Sequence, residues 1–312
     1  MISKKKSYNS IKFLKKKFVI KNKCVLCNSR DLKKALDFGE TPLANSYPSH
    51  INKKELKFKL LTVICNNCGH LQLKHLVNPK IMFQNYLYVS GTSNVLVKHF
   101  KDYSEKIIKK FNLNKNSKIL DIACNDGTFL DFFKEKNFKL VAGIDPAKNL
   151  RKLNLKKKIE IITDFFKNKK SFYIKKKFES FHIITANNVF AHNPNLQDFT
   201  AGVKNVLEEK GVFILEVSYL LTVLKKKTFD TIYHEHMSYH SLRPLVYFFK
   251  NFNLEIFDFD LIEAQGGSIR IYICHKNQRK INKKKIDLQI KREIHQGIFK
   301  KQTYDKFYEY IL

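Results

Sequence analysis

The stretch "DTIYHEHMSYHS", residues 230–241, carries Tyr233, His234, Glu235, His236, Tyr239 and His240. Three of the chain's 11 His fall in it, and no Lys or Arg lies between Thr231 and Leu242, although the chain holds 59 of them. Imidazole, phenol and carboxylate side by side can take, hold and return a proton near neutral pH. One or two such residues read as a polar loop; six together point to a site. A metal site competes, since His234, His236 and His240 all present nitrogens. HExxH is absent, however, and His-x-His in a loop is weak evidence for metal. Taken singly, His234, Tyr239 and His240 read as packed or solvated residues.

A second constellation is made of cysteine. Four of the six Cys form two pairs, Cys24-x-x-Cys27 and Cys65-x-x-Cys68. Two intervening residues let both thiolates of a pair reach one tetrahedral ion at about 2.3 Å. The two pairs together complete a four-cysteine site for Zn2+, with no open position and hence a structural role. The gap between them exceeds ordinary zinc-ribbon spacing, so an inserted segment must lie between the knuckles. Disulfides do not suit a reducing cytoplasm. Cys124 and Cys274 sit in apolar, strand-like patterns and are expected to be buried thiols.

These groups need a scaffold, and from residue 95 one is legible. "SKILDIA" (117–123) reads as a strand, "CNDG" as a turn, and "TFLDFFKEKN" (128–137) as a helix. Further strands are expected at 140–146, 159–166, 181–190 and 211–217, with "LQDFTAGVKNVLEEK" as a helix between the last two. Strands alternating with helices predict an α/β, doubly wound, mostly parallel sheet, with ligands at the carboxyl ends of its strands. The first strand–turn–helix holds only Gly127, so the GxGxxG fingerprint is missing. Asp145 ends the second strand. It is placed either to accept hydrogen bonds from a ribose diol or to make the turn before Pro146. With no phosphate cradle, the combination suits an adenosyl cofactor lacking pyrophosphate.

Bulk composition bounds the rest. A length of 312 suggests about two domains, and 44% apolar residues with 27 Phe can fill real cores. No window is long and apolar enough for a membrane span, and the basic N-terminus lacks a signal core, so a cytoplasmic protein is expected. The formal charge of +31 invites a nucleic-acid reading. Much of it lies in scattered KKK triplets between apolar segments, a pattern that compositional drift produces.

Seven motifs occur in one order: Cys24-x-x-Cys27, "FGETPLANSY", Cys65-x-x-Cys68, "YLYVSGTS", "LDIACNDGTFL", "NVFAHNPNLQDF" and "FDTIYHEHMSY". With them the chain resembles the zinc-containing, S-adenosylmethionine-dependent sugar C-methyltransferases, which act on nucleotide-linked 4-keto-6-deoxyhexoses. The resemblance covers roughly residues 22–275. It implies a Rossmann-like class I methyltransferase domain over 81–275, preceded by a four-cysteine zinc-binding domain over 21–80 and a basic arm over 1–20. It places Asp121, Asn125, Asp126, Gly127 and Asp145 around S-adenosylmethionine, with Asp164 approaching the adenine. It makes His236 the base, assisted by Tyr233, Glu235 and His192, and by Tyr86 or Tyr88. It also implies a further C-terminal domain, of which 276–312 reads as the helical start, so a separately encoded partner chain is an expectation. Gln265 stands where the family often has His.

A sugar carbon has no lone pair with which to attack a sulfonium. A neighbouring ketone acidifies its proton and spreads the carbanion as an enolate, so the site needs a base near neutral pKa and donors for the enolate oxygen. A nucleic-acid methyltransferase is the competing enzyme class, but the Asn/Asp-Pro-Pro-aromatic motif is missing from "NNVFAHNPN". A cofactor-binding but inactive fragment is the competing non-enzyme class.

Overall fold

Two knuckles of the same shape open the fold. In this computed structural model, which describes residues 16–48, 50, 54–157 and 159–312, Asn28 donates its N–H to the Cys24 carbonyl at 3.0 Å. Gly69 does the same to the Cys65 carbonyl at 2.8 Å. Both residues have positive φ, 62° and 81°, which Asn and Gly tolerate. Around them run β1 (Phe18–Ile20), β2 (Leu32–Pro42), β3 (Lys57–Cys65), β4 (Leu71–Leu73) and β5 (His75–Val77). β2, β3 and β4 form an antiparallel sheet, and β1 pairs with β5. The basic arm expected over 1–20 lies outside the described residues up to residue 15, and its last three residues are β1.

The larger sheet uses β6 (Lys118–Ile122), β7 (Leu140–Ile144), β8 (Glu160–Ile162), β9 (Phe181–Asn187) and β10 (Leu207–Ser218), all parallel. β11 (Ser238–Tyr239) belongs elsewhere, while β12 (Leu254–Ile262) and β13 (Ser268–His275) complete the order β12-β13-β10-β9-β6-β7-β8. β13 runs antiparallel to β10. Successive strand residues enter opposite cores, as the period of two demands. Ile119, Val141, Ile183 and Ile214 pack under helices Asn94–Lys110 and Thr128–Glu135. Leu120, Ala142, Ile184 and Leu215 pack under Asn168–Phe178 and Leu196–Val206. A sheet buried on both faces reads as continuous apolar runs, which is why these strands were legible. The order reverses at β6, with β7 on one side and β9 on the other, so a crevice opens at their carboxyl ends.

Four local expectations need correcting. The helix read over 196–210 stops at Val206, because Leu207 turns into β10 opposite Phe181. The strand read over 181–190 stops at Asn187, where Asn188 at φ 54° turns the chain out of the sheet. The strand read over 159–166 covers only Glu160–Ile162. Cys124 is buried but lies in the turn after β6, flanked by Ala123 at φ 60° and Asn125 at φ 53°.

β11 joins the cysteine sheet. It pairs antiparallel with β4, extending that sheet to β11-β4-β3-β2. Met237 ties both halves together: its N–H donates to Ala191 O at 2.8 Å, and its carbonyl accepts from Leu73 N at 2.9 Å. Within 276–312 lie two helices, Lys283–His295 and Lys301–Ile311. Buried Glu293 of the first accepts from Leu242 N at 2.6 Å and Arg243 N at 3.0 Å, capping the helix Leu242–Lys250. No helix among the described residues is long and apolar enough to cross a membrane.

Candidate active site

A cavity of about 630 Å³ opens at the crevice, lined by Ile122, Ile144 and Asn187 from the ends of β6, β7 and β9. Asn125 and Asp145 line it on the sheet side; Tyr86, Tyr88, His192, Tyr233 and His236 line it on the other. Glu235 stands behind that second wall. Residues separated widely in sequence thus share one space.

On the sheet side, the Asp145 carboxylate accepts from Asn125 N at 2.9 Å through one oxygen and from Ala147 N at 2.8 Å through the other. Burial raises its pKa to about 6 against these two backbone donors. A carboxylate has about four acceptor sites, so half its capacity is left for a ligand. A ribose diol fits this acceptor. Apolar Ile144, Pro146 and Phe166 offer a base its surface, and no glycine-rich phosphate cradle is present. These residues fit S-adenosylmethionine.

The other acidic residues that the resemblance places around the cofactor do not line the cavity. Asp126 caps helix Thr128–Glu135 through Thr128 and accepts from Gly91 N at 3.2 Å. A Cβ on Gly91 would lie 2.5 Å from that carboxylate, so the "SGTS" turn needs its glycine. Asn125 accepts from Ser90 N at 2.9 Å and donates to Tyr88 O at 3.0 Å, clamping the same segment. Gly127 makes the left-handed N-cap at φ 75°. Asp121 is buried against Thr185 Oγ1 at 2.6 Å, and burial raises its pKa to about 7. Asp164 pairs with Lys170 at 2.7 Å. None of Asp121, Asp126, Gly127 and Asp164 lines the cavity.

On the opposite wall, His236 Nδ1 lies 2.7 Å from the Thr231 carbonyl. A carbonyl only accepts, so Nδ1 carries the hydrogen and Nε2 holds a lone pair. Nε2 lies 3.4 Å from the Tyr233 hydroxyl. Burial lowers the pKa of His236 to about 4, against the Thr231 carbonyl, so the ring is neutral at pH 7. It is a weaker base than the near-neutral one expected from the sequence. His192 lies ring to ring with it at 5.1 Å and stacks on Phe83. Buried His192 Nε2 has no partner among the described residues, and burial holds this ring neutral as well. Tyr86 donates its hydroxyl to Glu235 Oε2 at 3.3 Å, whereas Tyr88 is 43% exposed. The structure therefore separates the two tyrosines. His234 turns away from the cavity, its Nε2 3.1 Å from Phe58 O.

The four cysteine sulfurs lie within 4.8 Å of one another, with Cys24–Cys68 at 3.6 Å and Cys27–Cys65 at 3.5 Å. Bonds of about 2.3 Å to a tetrahedral ion require S···S edges of about 3.8 Å, so the quartet fits Zn2+. The Cys68 thiol donating to Cys24 pulls the Cys24 pKa to about 6, and Cys68 is pushed up in return. An ion would deprotonate the whole set.

Sequence reasoning did not single out Asn45, Thr231 or Asn187. Asn45 belongs to the quoted "FGETPLANSY", and Asn187 to the end of β9, so their places carried a signal. Thr231 acts through its carbonyl, which no residue type announces.

A family description reading "Methyltransferase domain" matches residues 97–258, just over half the chain. The chain belongs to the methyltransferase-domain family. A zinc binding domain family matches residues 24–83, which contain the whole cysteine quartet. The chain is 29% identical over 253 residues to the C-methyltransferase NovU of Streptomyces niveus, covering 80% of this chain and 60% of that protein. It therefore spans less than two thirds of that curated relative. Among solved structures, the PH0226 protein of Pyrococcus horikoshii matches at 15% identity and a TM-score of 0.47, over 61% of this chain and 95% of that one. A S-adenosylmethionine-dependent methyltransferase of Clostridium acetobutylicum matches at 13% and 0.43, over 58% and 92%.

Proposed function

We propose that this methyltransferase transfers a methyl group from S-adenosylmethionine to a carbon next to the ketone of a nucleotide-linked deoxysugar. One observation carries the reading: a neutral imidazole, His236, presents the Nε2 lone pair to the cavity that Asp145 lines. The name of the NovU relative, a C-methyltransferase, supports transfer to carbon.

In this reading His236 Nε2 takes the α-proton of the keto sugar, and the C–H electron pair moves toward the carbonyl oxygen. The Tyr233 hydroxyl, now 3.4 Å from Nε2, turns its hydrogen to that oxygen. His192 Nε2, buried on the same wall without a partner among the described residues, would serve as a second donor when it carries the ring hydrogen. Thr231 O holds Nδ1–H and steadies the imidazolium once it forms. The cofactor supplies a methyl on a sulfonium whose sulfur keeps the bonding pair as the methyl passes to carbon. Asp145 holds the ribose, and alignment of methyl and carbon contributes several kcal/mol of barrier reduction.

The test is incubation with methyl-labelled S-adenosylmethionine and a panel of nucleotide-linked keto sugars, read by mass spectrometry. Gain of one labelled methyl at carbon, dependent on the ketone, is expected. Methylation of nucleic acid with no sugar product would replace this reading.

A further inference from the structure

We propose that Asn45, delivered by the cysteine module, is a positioning residue that holds Glu235 as an acceptor and so fixes which way the Tyr86 hydroxyl points. The proposal rests on the C-methylation reading for its kinetic consequence, but not for its geometry.

Glu235 is 3% exposed. Its Oε1 accepts from Asn45 Nδ2 at 2.6 Å and its Oε2 from Tyr86 OH at 3.3 Å. Neither contact brings a positive charge. A buried carboxylate without a cation remains an anion only through its donors. Burial pushes the Glu235 pKa up; Asn45 is the stronger of the two donors opposing it, and Tyr86 the weaker. The titratable groups acting on it are Tyr86 from the segment before "SGTS" and Tyr233 from its own loop, and both phenols are held far above their ordinary value.

The consequence reaches the cavity wall. While Glu235 is an anion it takes the Tyr86 hydrogen, so Tyr86 offers the cavity an oxygen that accepts. That suits a substrate hydroxyl as donor. Without Asn45 the carboxyl loses the stronger donor that opposes burial and keeps its proton to higher pH. Once protonated it can itself donate, the Tyr86 hydrogen is released, and the wall changes from accepting to donating. Asn45 and Glu235 are 190 residues apart, so the substrate wall depends on how the cysteine module docks.

The test uses the full chain with 13C-labelled Glu carboxyls, the Glu235 resonance being assigned by its loss in Glu235→Gln. Asn45→Ala removes the donor. Asn45→Asp keeps the shape but sets two carboxyls together, which must share a proton. In both variants the Glu235 signal is expected to titrate at higher pH than in the unaltered protein. In the sugar assay both should move the acid limb of kcat/KM upward and lower kcat/KM at pH 7 by about ten- to hundredfold. An unchanged Glu235 titration in both variants overturns the proposal. The titration needs no substrate, so it remains decisive even where the methylation reading fails.

Discussion

Gln72 faces the segment after "YHEH" with its backbone and the cysteine knuckle with its side chain. It stands opposite Ser238 in the β4–β11 pairing. Its amide accepts from Val25 N at 2.8 Å and donates to Lys23 O at 3.2 Å, gripping both sides of Cys24. The metal module and the "YHEH" segment are thus mechanically one unit.

Metal loss should therefore reach the active site. Purified protein is expected to hold close to one zinc per chain, measured by elemental analysis. In Cys65→Ser, or after chelation, amide hydrogen exchange should speed up at 71–73 and also at 237–239. Loss of protection confined to the knuckles would show the two to be independent.

Cofactor binding should depend on Asp145 as an anion. Asp145→Ala removes the charged acceptor and costs about 1.5–3 kcal/mol, roughly ten- to hundredfold in affinity for S-adenosylhomocysteine by calorimetry. The pKa of Asp145 is raised to about 6 in the free protein, so affinity in the unaltered protein should fall as pH drops through about 6. That pH dependence should vanish in the variant. Equal affinity in both proteins would leave Asp145 as a turn residue.

Under the proposed mechanism, proton removal should be separable from methyl transfer. With S-adenosylhomocysteine in place, the enzyme should exchange the substrate α-proton with deuterated water. His236→Gln should lose exchange and methylation alike, by roughly two to four orders of magnitude. Tyr233→Phe should lose less, since the base remains. Because burial holds His236 near 4, the acid limb of the rate at saturating cofactor and substrate should lie well below the ordinary imidazole value. Normal exchange in His236→Gln would move the base to His192.

A fourth prediction concerns stability. His240 is buried, and neither ring nitrogen has a partner among the described residues. Burial holds its pKa well below 6.5, with His70 and His236 adding to the effect. Its neutral state therefore favours folding fully above about 6.5, and that contribution is lost as pH falls, because the unfolded chain takes up the proton. His240→Phe removes the unpaired nitrogens. It should gain about 1 kcal/mol in denaturant unfolding at pH 7, and more at pH 5. A loss at both pH values would reveal a partner for the ring.

Much of the cofactor half could be read from sequence because its signals are local. Strand, turn and helix follow within about twenty residues from Lys118 to Glu135, and the apolar runs of β6, β7 and β9 announce a sheet covered on both faces. The cysteine pairs are local too: each knuckle closes over five residues, with Asn28 or Gly69 in the position that turns the chain back.

The opposite wall was legible as a list of residue types but not as an arrangement. The order of residues was enough to establish that Tyr233, Glu235 and His236 occur together, and that an acid ends the second strand. It did not decide that His236 rather than His234 meets the cavity, that Tyr86 rather than Tyr88 meets Glu235, or that Asn45 belongs there at all. Those outcomes depend on β11 pairing with β4 and on contacts such as His234 to Phe58 O, 176 residues apart. In an irregular loop no periodicity tells which side chain points inward. Only the strand register and the carbonyl that receives Nδ1–H, both set outside the His236 side chain itself, turn its Nε2 toward the cavity.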